Sequence, residues 1–103
     1  MIGWKTYSLS NDNSSLYTVK YNAEFVQFFV HISSNVNIGS SWNGWQNILT
    51  DEFIRPEKGI VGIDNSGQTF IRVAPGSENI KFKSVTGVSF QNTIYAEMEW
   101  KRR

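Results

Sequence analysis

Apolar and polar residues alternate with a period of two in almost every segment of this chain, and this alternation restricts the fold to β-structure. No window keeps the spacing of three and four residues that an amphipathic helix needs. Turn-forming residues such as Asn65-Ser66-Gly67 and Pro75-Gly76 interrupt the alternation roughly every ten residues. We therefore predict an all-β fold, an antiparallel β-sandwich of about eight short strands. The predicted strands lie near 3–7, 16–21, 24–33, 44–49, 59–64, 69–74, 79–85 and 93–100.

The predicted strand at 24–33 is the most apolar segment, and its two faces differ. The face that we assign to the core holds Val26, Phe28, Val30 and Ile32. The opposite face holds Phe25, Gln27, Phe29 and His31. Two phenyl rings make this second face too apolar for open solvent, so we expect another chain or the N-terminal segment to cover it.

The composition excludes several classes of protein. The chain has 103 residues, enough for a single domain over 1–103, and its formal net charge of +1 indicates neither a nucleic-acid tether nor an acidic tail. It has no cysteine, which excludes a disulfide scaffold and thiolate metal sites and favours folding in a reducing cytoplasm. No apolar run approaches the roughly 20 residues of a membrane span, and the N-terminus lacks the pattern of a signal peptide.

The sequence contains no recognisable set of catalytic residues. His31 is the only histidine, and no Ser, Asp or Glu stands at a diagnostic spacing from it. Two interpretations of His31 remain: a structural residue that a partner chain covers or that is hydrogen-bonded, which we favour, and a ligand contact. Glu97 and Glu99 share one strand face, whereas the two carboxylates of a glycosidase face each other across a cleft. We therefore expect no enzymatic activity and assign no catalytic residue, cofactor or metal ligand.

The connector at 39–56 is rich in tryptophan and side-chain amides, which do little for the stability of a small β-domain. Within it, Asp51 is placed to cap a helical turn over 51–55 that Pro56 stops. An indole can stack on the C–H face of a sugar, while amides and carboxylates hydrogen-bond to its hydroxyls. Alternatively, the tryptophans close the end of the sandwich or pack on a neighbouring subunit. The candidate saccharide-binding residues are Trp45, Asn43, Gln46 and Asp51, with His31, Arg55 and Arg72 as contributors across a subunit boundary.

Nucleic-acid binding is a weaker interpretation. Lys81 and Lys83 alternate with Ile80 and Phe82, as on an ordinary exposed strand face. Proteins that stack single strands on aromatic rings also have a basic groove, and a net charge of +1 argues against one. We therefore expect no nucleic-acid partner.

A series of features follows the apolar strand in a definite order. They are Gly39-x-x-Trp42, Ile48-Leu49, Phe53-Ile54-Arg55-Pro56, a strand with Val61, Asp64-Asn65-Ser66-Gly67 leading into Thr69–Val73, and a closing strand with Tyr95. From residue 24 to the C-terminus, this order resembles the C-terminal head domains of phage tail-fibre and baseplate receptor-binding proteins, notably from phages that infect Gram-positive bacteria. The chain departs from that pattern at Thr50, where many such heads have proline, and in its additional Trp45.

The resemblance implies a jelly-roll type of sandwich, a homotrimer, and recognition of a cell-wall or surface saccharide without catalysis. It also implies a place in the virion tail or baseplate after synthesis in the host cytoplasm, contacts with other tail or baseplate proteins, and no membrane insertion. Two alternatives remain, a structural knob or trimerisation domain of a tail or baseplate and a free-standing carbohydrate-binding module. Because Trp42 fits the pattern and Trp45 does not, we expect Trp42 in the core or a subunit interface and Trp45 on the recognition surface.

Overall fold

Eight antiparallel strands form the two sheets of a β-sandwich, as the alternation predicts. The structure, a computed structural model, describes residues 3–12 and 15–103, with side chains at every described position except 7, 9–12 and 44–47. In the described residues the only helical element is one 3-10 turn at Glu52–Ile54. The strands are β1 Lys5–Asp12, β2 Ser15–Tyr21, β3 Phe25–Ile38, β4 Asn43–Asn47, β5 Ile60–Ile63, β6 Thr69–Val73, β7 Asn79–Ser84 and β8 Phe90–Lys101.

The second sheet is a Greek key, in which β5, β6 and β7 pair in succession and β4 lies beside β7. The first sheet has the order β1-β2-β3-β8 and the second sheet β4-β7-β6-β5. β3 pairs with β8, β4 pairs with β7, and β5 pairs with β6. Each of these pairs therefore encloses the next one in the chain sequence. β1 and β2 extend the first sheet as a meander beside β3. The described part of the N-terminal segment therefore lies at the edge of this sheet and does not cover its outer face.

The core lies between the sheets and contains the residues that the alternation assigns to it. Val26, Phe28, Val30 and Ile32 of β3 are all at most 2% exposed. Ile71, Val73, Ile80 and Phe82 face them from the second sheet and are also fully buried. Burying a side chain of this kind contributes roughly 1.5–3 kcal/mol, so the two inner faces supply most of the favourable free energy of folding.

β3 continues five residues beyond its predicted end. Its register with β8 shifts between Ile32 and Val36, and pairing then resumes until Ile38 lies opposite Phe90. The polar run Ser33-Ser34-Asn35 suggests a strand end in the sequence, but in the structure it forms this irregularity. Ile38 is 1% exposed, and its burial stabilises the extension.

Hydrogen bonds within the connector between β4 and β5, and one buried hydrogen bond from β8, hold this connector in place. Asp51 caps the 3-10 turn by accepting from the Phe53 amide at 2.9 Å, which confirms the predicted turn. The Trp100 indole donates Nε1–H to the Ile54 carbonyl at 2.8 Å. Arg55 donates Nε–H to the Leu49 carbonyl at 2.9 Å. These bonds satisfy carbonyl groups that the irregular backbone would otherwise bury without a partner.

The turn between β5 and β6 depends on Gly67, as the sequence predicts. Gly67 has a φ of 74°, in the left-handed region that glycine adopts without strain. The buried carboxylate of Asp64 accepts from the Ser66 hydroxyl and from the Gln68 and Thr69 amides. The turn is therefore held by its own side chains.

Candidate functional site

The outer face of the second sheet carries two aromatic rings with two cations against them. The half-buried indole of Trp42 lies 6.4 Å from the Phe70 ring, centroid to centroid. The Arg72 guanidinium carbon is 5.8 Å from the centre of the Trp42 ring, and the Lys83 ammonium is 5.9 Å from it. We call Trp42, Phe70, Arg72 and Lys83 the ring–cation cluster. Both distances are within the range of cation–π attraction.

The register of β6 and β7 brings these residues together. Residues two apart on a strand share a face, so Phe70 and Arg72 point outward while Ile71 is fully buried. Phe70 lies opposite Lys83, and Arg72 lies opposite Lys81. Trp42 immediately precedes β4, which pairs with β7 on the side away from β6. The indole can therefore reach across β7 to Phe70.

The second sheet is positively charged. Its four strands contain Arg72, Lys81 and Lys83 and no aspartate or glutamate. Among the described side chains, no carboxylate forms an ion pair with any of these three cations. The exposed apolar residues Val61 and Ile63 of β5 border the cations on the same face.

The outer face of the first sheet has an apolar area at one end and the charged residues Lys20, Glu97 and Glu99 at the other. His31 and Tyr95 are directly opposite in register, and their rings meet edge to face at 5.1 Å. Together with Leu16 and Phe29 they line a shallow depression of about 180 Å³. We call Leu16, Phe29, His31 and Tyr95 the aromatic groove. Lys20 crosses one side of it, with its ammonium 5.8 Å from the centre of the Phe29 ring.

The structure brings some of the predicted site residues together and separates others. Arg72 belongs to the ring–cation cluster. Asn43 is exposed at the start of β4, but it lies opposite the buried Phe82 and is therefore directed to the other face of the sheet. His31 lies on the opposite face of the sandwich, since it points outward from the first sheet. Within one chain, His31 and Arg72 therefore cannot bind one small ligand.

The other predicted site residues lie in or near the connector. Asp51 is exposed and caps the 3-10 turn. Arg55 is only 9% exposed, and its bond to Leu49 gives it a structural role. The side chains of Trp45 and Gln46 lie outside the described part of the structure, although the backbone places both residues in β4.

Of the two places predicted for Trp42, the core is wrong, because Trp42 packs on the outer face of the second sheet and is absent from the buried cluster. Its place in a subunit interface stays a prediction. The sequence analysis also did not identify Phe70, Lys81 and Lys83 as site residues. Their alternation shows that each faces outward, but only the register shows that Arg72 lies beside them. A search for outward cations on neighbouring strands of one hairpin would have found the group.

Other classes of site are not found in the described part of the chain. It contains no group of three or more side chains placed to hold a metal ion. It also contains no helix of the length and apolarity needed to cross a bilayer. Comparison of the chain with family models, curated proteins and solved structures finds no match.

Proposed function

We propose that this protein recognises a saccharide on a cell surface without catalysing a reaction, as the head domain of a phage tail or baseplate receptor-binding protein, and that it acts as a homotrimer. The observation that carries the proposal is the ring–cation cluster. It presents a partly exposed indole, beside hydrogen-bond donors, on an otherwise regular sheet.

The cluster has the chemistry that sugar binding needs. A sugar ring offers an apolar C–H face, which an indole can cover, and hydroxyls around its edge. Arg72 and Lys83 lie over the Trp42 ring and are hydrogen-bond donors beside it. A site with these groups selects among sugars by the hydroxyls that pair with it.

The strand that follows Trp42 can extend the site. Trp45 and Gln46 lie in β4, next to β7, and Asp51 stands exposed beyond the end of β4. We include Trp45, Gln46 and Asp51 in the proposed saccharide surface with Arg72, whereas the predicted contributor Asn43 is directed to the other face of the sheet. His31 would join this surface only across a subunit boundary. The buried Arg55 stabilises the connector through its hydrogen bond to the Leu49 carbonyl.

The aromatic groove supports the homotrimer. Leu16 and Tyr95 are 45% and 49% exposed, and the Phe29 ring lies between their strands. A contiguous apolar patch of this kind commonly marks a protein interface. We propose that a second copy of the chain covers it, which would remove these rings from water and multiply weak saccharide contacts by avidity.

Saccharide recognition is tested by binding of the labelled protein to an array of bacterial cell-wall and capsular glycans. We expect selective binding that is lost in Trp42→Ala and weakened in Trp45→Ala. Trp4→Ala is the matched control, since Trp4 is an exposed indole outside both clusters. If no glycan is bound, or if all three variants bind like the wild type, the saccharide proposal is wrong.

The oligomeric state is tested by light scattering at micromolar concentration. The wild type should have the mass of a trimer, and Phe29→Asp should be monomeric or unfolded. Val61→Asp is the matched control, because it places the same charge on the exposed outer face of the second sheet. A trimer without glycan binding would favour the structural knob, and a monomer that binds glycans would favour a free-standing carbohydrate-binding module.

A further inference from the structure

We infer that the saccharide carries negative charge, and that its anionic group binds to Arg72, Lys81 and Lys83 beside the Trp42 ring. This inference rests on the proposed function, because it specifies the class of saccharide for the same face. The anionic group is a carboxylate, phosphate or sulfate on the sugar, since all three present oxygens to cationic donors in the same way.

The distribution of charge is the first support. The whole chain has a formal net charge of only +1, yet the four strands of the second sheet carry three cations and no acid. The first sheet differs, because its β8 strand carries Glu97 and Glu99 on the outer face. The strands of the first sheet also carry three cations, Lys5, Lys20 and Lys101, but three acids balance them, so the uncompensated positive charge lies on the second sheet.

The arrangement of the cations is the second support. Arg72 and Lys81 lie directly opposite each other on β6 and β7. Like charges in this position destabilise a strand pair. Among the described side chains no carboxylate offsets the repulsion, whereas an anion bound between the two strands would do so.

The types of side chain are the third support. The planar guanidinium of Arg72 can bind two oxygens of a carboxylate or phosphate at once, and the two lysines add mobile point charges. Arg72 and Lys83 lie over the indole within 6 Å of its centre, so an anion bound to them would be adjacent to a sugar in contact with that ring. The cluster thus offers an aromatic ring and neighbouring cations to a single ligand.

A single-stranded nucleic acid is the competing polyanion, since it also binds to rings and cations. Such strands need a basic groove that follows several nucleotides with a series of stacking rings. Here the described rings, Trp42 and Phe70, contact each other, and the face continues into the aliphatic residues Val61 and Ile63. These features favour a short acidic saccharide.

The test uses a glycan array that holds neutral saccharides beside uronate-, phosphate- and sulfate-bearing ones, together with an oligothymidine. We expect binding to acidic glycans that weakens as salt is raised from about 50 to about 200 mM. Lys83→Gln and Arg72→Gln should each reduce that binding about tenfold or more, as loss of a charge-assisted bond does. Lys58→Gln is the matched control, because it removes an exposed cation that lies outside both the ring–cation cluster and the aromatic groove.

Stability provides a second measurement that separates binding from a structural role. Lys81→Gln removes the like-charge pair with Arg72 and leaves both cations over the Trp42 ring in place, so its melting temperature should equal or exceed that of the wild type while binding falls. Binding confined to neutral glycans would overturn this inference and leave the proposed function intact. Binding to no glycan would overturn both, and tighter binding to oligothymidine than to any glycan would replace them with nucleic-acid recognition.

Discussion

Replacing Trp100 by phenylalanine tests how the connector is held to the core. The Trp100 indole is 5% exposed, donates to the Ile54 carbonyl at 2.8 Å, and packs 5.8 Å from the Phe28 ring. Phenylalanine keeps a ring beside Phe28 but leaves the buried carbonyl without its donor, which costs about 1–3 kcal/mol. The smaller ring also leaves unfilled space worth about 1 kcal/mol. Trp100→Phe should therefore lower the free energy of unfolding by about 2–4 kcal/mol.

Trp42→Phe is the matched control, because the same chemical change occurs on the outer face. Trp42 is half-buried there, and phenylalanine retains a ring for Arg72 and Lys83. We expect a cost of about 0.5 kcal/mol or less, as for other surface substitutions.

The measurement is urea unfolding followed by far-ultraviolet circular dichroism, which does not depend on tryptophan fluorescence. Protein concentration is kept constant, since the stability of an oligomer depends on it. The midpoint of Trp100→Phe should fall with an unchanged m-value, and its melting temperature should fall by about 10–20 °C. An equal or larger cost for Trp42→Phe would refute the assignment of Trp42 to the outer surface. A cost below about 1 kcal/mol for Trp100→Phe would refute the role given to its hydrogen bond.

Three further substitutions test the local structure by thermal melting. Gly67→Ala should lower the free energy of unfolding by about 1–2 kcal/mol, because the φ of Gly67 is positive. Gly76→Ala is the control and should be nearly neutral, because no atom lies within 4 Å of the added methyl group. Equal effects of the two substitutions would contradict this account. Asp64→Ala should cost about 2–3 kcal/mol, since a buried carboxylate that accepts from two backbone amides is lost, and an unchanged melting temperature would contradict it. Arg55→Met should lower the free energy of unfolding by about 1–3 kcal/mol, because it leaves the Leu49 carbonyl unpaired. It should not change the glycan affinity of the folded protein. A loss of affinity without a loss of stability would make Arg55 a ligand contact.

The sequence by itself determined which residues face the core and where the chain turns. A strand directs successive side chains to opposite faces, so Val26, Phe28 and Val30 could be assigned to the interior without knowing what they pack against. Turns are equally local, because only glycine adopts a positive φ such as that of Gly67 without strain. The cap at Asp51 and the stop at Pro56 follow from their own backbone preferences for the same reason.

Only the tertiary structure decided which outward residues are neighbours. Alternation shows that Arg72 and Lys81 point outward, but their position opposite each other depends on how β6 pairs with β7, and pairing is set by burial summed over both sheets. Trp42 and Arg55 lie in irregular backbone with no period, so the sequence could not show that one packs outside the second sheet and the other is buried against Leu49. The candidate site is therefore a product of strand order and register, whereas the two faces of each strand are already encoded in the local pattern.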